Sequence, residues 1–210
     1  MYAKYFKRIL DFVLSLIGLI ILSPIMLIII IAIKIDSKGP AFFLQERLGK
    51  DGKVFKIIKF RTMVVNAEHI GKGLKVESEN DNRITKVGKI LRKTSLDEIP
   101  QLINVIKGDM ALIGPRPPVT YHPHKYEDYP ENQKRRFLIR PGITGLAQMR
   151  VRNSATWNER IEIDIEYLNS ISFIGDIKII FGTLKGIVKK ENIYQVQENK
   201  EVEKKEHAGV

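Results

Sequence analysis

The chain has no cysteine among its 210 residues. That excludes a disulfide framework, a thiolate metal site and a cysteine nucleophile. The motifs GxxxxGK[ST], GxGxxG and GxSxG are also missing, so a nucleotide-binding P-loop, a dinucleotide domain and a serine hydrolase drop out. There is no zinc-finger spacing, no interleaving of basic and aromatic residues of the RNA-binding kind, and no internal repeat. With 9 Pro and 15 Gly the chain is neither collagen-like nor wholly disordered. Charge is missing altogether from Phe12 to Ile33, which excludes a uniformly soluble protein.

Elsewhere charge is plentiful. Lys and Arg number 35 against 24 Asp and Glu, a net charge of +11. Such an excess favours polyanions: nucleic acid, anionic lipid headgroups or phosphorylated substrates. Residues 1–75 hold 13 basic and 5 acidic side chains, so +8 of the +11 lies near the apolar segment. That location favours lipid or lipid-linked phosphate over nucleic acid. The length suits one domain, or one domain with an anchor.

The apolar run from Ile9 to Ile35 admits three readings. It is too long for a signal-peptide core, and no small-x-small cleavage site follows it. It can cross ~30 Å of hydrocarbon as a straight helix. It can also enter the membrane, bend and return to the same face. Ser23-Pro24 at mid-run favours the bend, because proline removes a backbone donor and crowds the preceding turn, and the Ser23 hydroxyl can satisfy a freed carbonyl. Lys4, Lys7 and Arg8 before the run, with Lys34 and Lys38 after it, draw both ends to the cytoplasm. A kinked spanning helix stays open beside the hairpin.

Past Asp36-Ser37-Lys38-Gly39-Pro40 the pattern changes. Ala41–Leu44 and Val54–Phe60 read as short strands joined through a turn at Gly49-Lys50-Asp51-Gly52. Val65 to Arg83 reads as a helix end and a mobile loop. Val87–Leu91 leads into a helical pattern with Ile99, Leu102, Ile103 and Ile106 apolar, closed by Lys107-Gly108. Gly114 to Pro118 forms a rigid loop. Trp157–Leu168 reads as a helix. Ser172–Lys190 is a basic amphipathic helix, suited either to a membrane interface or to the domain surface. The fold class expected is α/β in the α+β sense, mostly helical, with short strands.

Several segments carry chemistry. Asp97 and Glu98 begin a helical pattern; they either complement its N-terminus, with Ser95 and Glu98 at capping-box spacing, or form a catalytic pair. Adjacent helical residues point ~100° apart, so two carboxylates there would do different jobs. Pro100 fits a first turn if Asp97 is the N-cap. Arg116, framed in Gly114-Pro115-Arg116-Pro117-Pro118, suits bidentate phosphate binding or a solvated turn. Lys59 and Arg61 share one face of a strand and line either an anion site or solvent. Pro141-Gly142-Ile143-Thr144-Gly145 allows close backbone approach to a ligand, or makes an ordinary turn. His122 and His124 could pair on a metal, but His69 and His207 offer no evident third ligand.

Together these segments resemble a known family. KRILDF, the run broken at Ser23-Pro24, KIIKFRTM, LRKTSLDEIPQLINVIKGDM, IGPRPP and RPGITGLAQ follow one another as in the bacterial sugar transferases, the monotopic polyprenyl-phosphate phosphoglycosyl transferases. The likeness covers about Tyr2 to Val188 and suits the family's small form, a catalytic domain with its membrane anchor. It implies transfer of a phosphosugar from a UDP-sugar to polyprenyl phosphate, with Mg2+ required, at the cytoplasmic face of a bacterial inner membrane. It implies that Asp97 is the nucleophile, with Glu98 beside it at the metal, and that Arg116 and Arg92 match family arginines. Lys59, Arg61 and Thr144 complete the candidate substrate-binding set. The chain then divides into a re-entrant anchor (1–38), a cytosolic catalytic domain (39–190) with interfacial helices, and a charged tail (191–210) expected to be disordered. The expected partners are the two substrates and membrane lipid, with downstream glycosyltransferases, and no nucleic acid. One departure is Leu146-Ala147-Gln148-Met149-Arg150-Val151-Arg152, where family members often read Trp-Ala-Gln-Val-Asn-Gly-Arg; it bears on sugar and nucleotide contacts. The competing readings are a non-catalytic membrane scaffold, against which both carboxylates and Arg116 argue, and a basic membrane-associated nucleic-acid binder.

Overall fold

In the computed structural model, residues 2–67, 70, 81–151 and 154–189 are described. The readings of a loop over much of 65–83, of a disordered tail, and of His69, His207 and Arg152 lie wholly or partly outside those residues.

Helix α1, Lys7–Asp36, carries the uncharged run. Thirty residues make it about 45 Å long, more than the hydrocarbon thickness. Its backbone stays helical through Pro24. Pro24 leaves the carbonyl of Ile20 without its helical donor, and the Ser23 hydroxyl donates to that oxygen at 2.8 Å. The outward face from Ile9 to Ile31 exposes large aliphatic side chains, whereas both ends are engaged by the rest of the protein. Near the start, the Arg8 guanidinium donates to the Val105 and Ile106 carbonyls at 2.6 and 3.1 Å. Lys7 Nζ donates to Asp176 at 2.8 Å. Near the end, Ile29 and Ile33 enter a core with Ala41, Phe60 and Leu91. The Asp36 carboxylate accepts from the Val87 amide at 2.9 Å.

Strands β1, Phe42–Leu48, and β2, Val54–Phe60, form an antiparallel hairpin around the expected turn. Asp51 and Gly52 reach φ of 55° and 73° there. Helix α2, Lys86–Thr94, starts at Thr85, whose hydroxyl accepts from the Gly88 amide. It ends at Ser95, left-handed with φ of 57°. A 3-10 turn, Leu96–Glu98, follows, then α3, Gln101–Lys107, closed by Gly108 at φ of 93°. The expected capping box is therefore not formed: Ser95 makes no side-chain cap bond, and Pro100, not Asp97, is the N-cap of α3. The left-handed residue separates two short helices where the sequence pattern suggested one continuous start.

Asn104 ties α3 edge-on to the hairpin. Its amide oxygen accepts from the Ile58 amide at 2.9 Å and its nitrogen donates to the Lys56 carbonyl at 2.8 Å, so it extends the β2 edge as a strand would. Strands β3, Ala111–Ile113, and β4, Gly142–Thr144, pair in parallel. Between them lie α4, Glu131–Lys134, and a 3-10 turn, Arg135–Leu138. Three helices complete the described chain: α5, Leu146–Arg150, α6, Trp157–Asn169, and α7, Phe173–Lys189. Thr156 and Glu159 form a capping box at the start of α6. Helix α7 buries Asp176 and Ile179 and leaves Phe173, Ile174, Ile177, Phe181 and Leu184 exposed.

Candidate active site

The acidic pair sits on the 3-10 turn between α2 and α3. Leu96 and Ile99, on either side of it, pack into the core that α1 shares with Phe60 and Leu91. Anchored at both flanks, the turn presents Asp97 and Glu98 toward the hairpin and the proline-framed loop.

Four cations surround the pair. Lys59 Nζ donates to Glu98 Oε1 at 2.6 Å, and Arg116 Nη2 lies 3.7 Å from the same oxygen. Arg92 acts on Asp97 through its charge while its Nε donates to the Thr62 hydroxyl at 2.9 Å. Arg47 acts on Glu98 and Arg116. Against two carboxylates these four leave an excess of two positive charges, a setting for a diphosphate.

The two acids are tuned apart. Burial opposes ionisation of Glu98, but Lys59 and Arg116, with Arg47, overcome it and hold the carboxyl well below its usual range. Burial pushes the Asp97 carboxyl up to about 6; Lys59 opposes that, and the charge on Glu98 adds to it. Among the described residues no hydrogen bond or ion pair reaches the Asp97 carboxylate. Glu98 is thus a fixed anion within a cation shell, while Asp97 is a carboxylate with unused lone pairs. Divergent environments of this kind assign different roles to two acids.

The arginine loop is held by its carbonyls. Pro115, Pro117 and Pro118 have no amide hydrogen to give. The Pro115 carbonyl accepts from the Gly142 amide at 2.9 Å, and that of Arg116 accepts from Arg136 Nη2 at 2.9 Å. The Pro117 carbonyl accepts from Arg47 Nη1 and that of Pro118 from the Leu48 amide, both at 3.0 Å. Each comes from a different part of the fold or a different group. Gly142 is required by closeness: a Cβ there would lie 2.1 Å from the Gly114 nitrogen. The Pro-Gly-Ile-Thr-Gly segment is accordingly a strand pressed onto the loop.

Asp97, Glu98, Lys59, Arg92 and Arg116 are brought together. Arg61 is not. The strand ends at Phe60, and the buried Arg61 guanidinium donates to the Ser37 and Lys38 carbonyls, each at 2.8 Å. Those carbonyls follow the end of α1 and need donors, so Arg61 serves as its cap. Thr144 is also diverted: its hydroxyl lies 2.8 Å from that of Thr183 on α7. His122 and His124 pack edge-on against different rings, Trp157 and Tyr129. No cluster of three or more His, Asp or Glu occurs among the described residues. A divalent cation here would be held by Asp97 and Glu98, whose carboxylate oxygens are of the kind that Mg2+ takes.

Arg47 was not among the residues singled out from sequence. A signal existed: in the hairpin register Phe43 faces Lys59, so Gln45 and Arg47 share that face. Arg136 and Asn104 had no comparable local signal.

A family model described as bacterial sugar transferase matches residues 2–190. The galactosyl transferase CpsE of Streptococcus agalactiae serotype III is 45% identical over 192 residues, 87% of this chain and 42% of that protein. The UDP-glucose:undecaprenyl-phosphate glucose-1-phosphate transferase of Klebsiella pneumoniae is 44% identical over 191 residues, 88% of this chain and 41% of its own length. The uncharacterized sugar transferase EpsL of Bacillus subtilis is 40% identical over 190 residues, 90% of each chain. The chain therefore spans less than half of the first two relatives and most of the third.

Proposed function

Because this chain belongs to the bacterial sugar transferase family, we propose that it transfers a phosphosugar from a UDP-sugar to polyprenyl phosphate, releasing UMP. The observation that carries the reading is the Asp97 carboxylate, which no hydrogen bond or ion pair reaches among the described residues, beside a shell of Lys59, Arg92, Arg116 and Arg47. The relatives' names support the reaction class and differ over the sugar, glucose in one and galactose in another.

The reaction proceeds in two displacements. An Asp97 oxygen attacks the sugar-bearing phosphorus; the Asp97 O–P bond forms as the bond to UMP breaks, and UMP leaves with its electron pair. A phosphate oxygen of polyprenyl phosphate then attacks the same phosphorus, forming the lipid diphosphate and returning Asp97 as a carboxylate. A covalent carrier lets one site take its donor from water and its acceptor from lipid in turn. Arg116 grips the diphosphate with its planar fork. Lys59 keeps Glu98 ionised, and Glu98 in turn sets the local field at Asp97. When bound on Asp97 and Glu98, Mg2+ supplies neutralisation of charge on the diphosphate and the leaving UMP.

The anchor is read as monotopic and re-entrant on the cytoplasmic face. In support, both ends of α1 bond to one and the same globular body, through Lys7 and Arg8 at the start and Asp36 at the end. The exposed apolar face of α7, flanked by Lys178 and Lys185, suits the interface of that same face.

UMP release decides the matter. Enzyme, Mg2+ and UDP-sugar without acceptor should give a burst no greater than the enzyme concentration, with a phosphosugar added to the intact mass. Asp97→Asn should lose both while staying folded. UMP appearing only when both substrates are present would refute the two-step route, and an adduct on Asp97→Asn would refute Asp97 as the nucleophile. Absence of turnover with any UDP-sugar, beside tight DNA binding, would refute the function itself.

A further inference from the structure

We infer that Arg136 and Asp164 form a positioning pair for Arg116, holding the arginine's own peptide plane so that its side chain stays at the acid pair. The inference rests on the reading that Arg116 contacts the donor diphosphate. Arg136 lies on the 3-10 turn after α4, and Asp164 lies in the middle of α6. A single nitrogen, Arg136 Nη2, donates to the Arg116 carbonyl at 2.9 Å and to Asp164 Oδ2 at 2.6 Å. Both side chains are sealed, with 1% and 2% of their surface exposed. The guanidinium is flanked by the Phe137 and Trp157 rings, 5.5 and 5.8 Å from their centroids.

Stability alone does not account for this pair. Replacing a buried ion pair by apolar residues of similar volume is often neutral or stabilising. Among the described residues Arg136 Nε and Nη1 make no well-formed hydrogen bond, although the Tyr129 hydroxyl adjoins the guanidinium, so part of the cost of burial is unmet. What the pair does provide is direction. With prolines at 115, 117 and 118, the loop has few rotations left. The orientation of the Arg116 peptide is set by what its carbonyl meets, and that is Arg136. Asp164 neutralises and aims the guanidinium, and the α6 capping box at Thr156 and Glu159 fixes the helix that carries Asp164. Arg136 and Asp164 touch no substrate in this scheme; they act through Arg116.

A double-mutant cycle tests the inference on the full chain in membranes or detergent, with UDP-sugar, polyprenyl phosphate and Mg2+. Arg136→Met with Asp164→Leu removes both charges of the pair together, while Arg160, which also acts on Asp164 through its charge, keeps its own. The unfolding midpoint should hold, while kcat/KM for the UDP-sugar falls on the order of 10- to 100-fold. In an Arg116→Ala background the same pair of changes should cost less than about two-fold, since there is no arginine left to position. An equal loss in both backgrounds, or no loss in the first, overturns the inference. If the double variant does not fold, Arg136→Lys takes its place: it keeps a cation beside Asp164 but loses the fork. Its loss of kcat/KM should likewise vanish without Arg116, and wild-type kcat/KM overturns the inference. Wild-type turnover in Arg116→Ala alone would instead refute the role given to Arg116.

Discussion

Lys59→Met separates electrostatic tuning from mere charge at the site. Lys59 is the foremost group opposing the upward shift of Asp97, and it donates to Glu98 at 2.6 Å. Its side chain is 15% exposed, so solvent screens it little. Removing the foremost opposing charge raises a carboxyl pKa by on the order of one unit. Starting from about 6, Asp97 would then titrate near 7. At pH 6 its ionised fraction falls from about one half to about one tenth, a five-fold loss of nucleophile. At pH 8.4 the fraction is above about nine tenths in both enzymes. The assay is the amplitude and rate of the acceptor-free UMP burst from pH 5 to 9. The acid limb should move to higher pH in Lys59→Met, on top of any uniform loss from weaker diphosphate binding. An unmoved limb, or one moved to lower pH, would refute the assignment of Asp97 as the titrating nucleophile.

Four further outcomes are expected. Arg116→Lys keeps the charge but loses the fork, and should lower kcat/KM by about ten-fold or more with an unchanged unfolding midpoint; wild-type kinetics would count against phosphate contact. Ser95→Gly should stabilise by up to about 1 kcal/mol, because φ of 57° carries no steric cost for glycine. Ser95→Val should destabilise by about 1–2 kcal/mol in thermal unfolding and lower turnover, since the strained residue orients the acid-bearing turn. Single cysteines at Tyr5 and Lys38 should both be shielded from an impermeant thiol reagent applied outside the cell; labelling at one end alone would refute the re-entrant anchor.

The parts read well from sequence were those governed by near neighbours. The uncharged stretch announced α1, the apolar segment Val54–Phe60 matched β2 end to end, and Lys107-Gly108 closed α3 as its residue types require. The parts that differed were those where another element outweighed the local pattern. Ser95 and Glu98 have capping-box spacing, yet α2 runs into Ser95 from the other side and turns it left-handed. Strands β3 and β4 have three residues each, too few to show alternation, and exist because glycines let two backbones meet. Arg61 looked like a ligand group by its spacing from Lys59, but the end of α1, over twenty residues earlier, claims it. Arg136 reaches the Arg116 carbonyl only through the fold, so no local motif could reveal it.

The core that Ile29 and Ile33 share with Phe60, Leu91, Leu96 and Ile99 has a bearing on when the protein can work. The turn that bears the acids is completed by side chains from the long apolar helix. A nascent chain whose first helix has not yet settled lacks one wall of that core, and its acids have no fixed seat. On the proposed function, assembly of the acid-bearing turn is thereby tied to the seating of α1. Detachment of the helix by truncation or harsh detergent should accordingly extinguish activity by loosening the fold, before any question of access to the lipid acceptor arises.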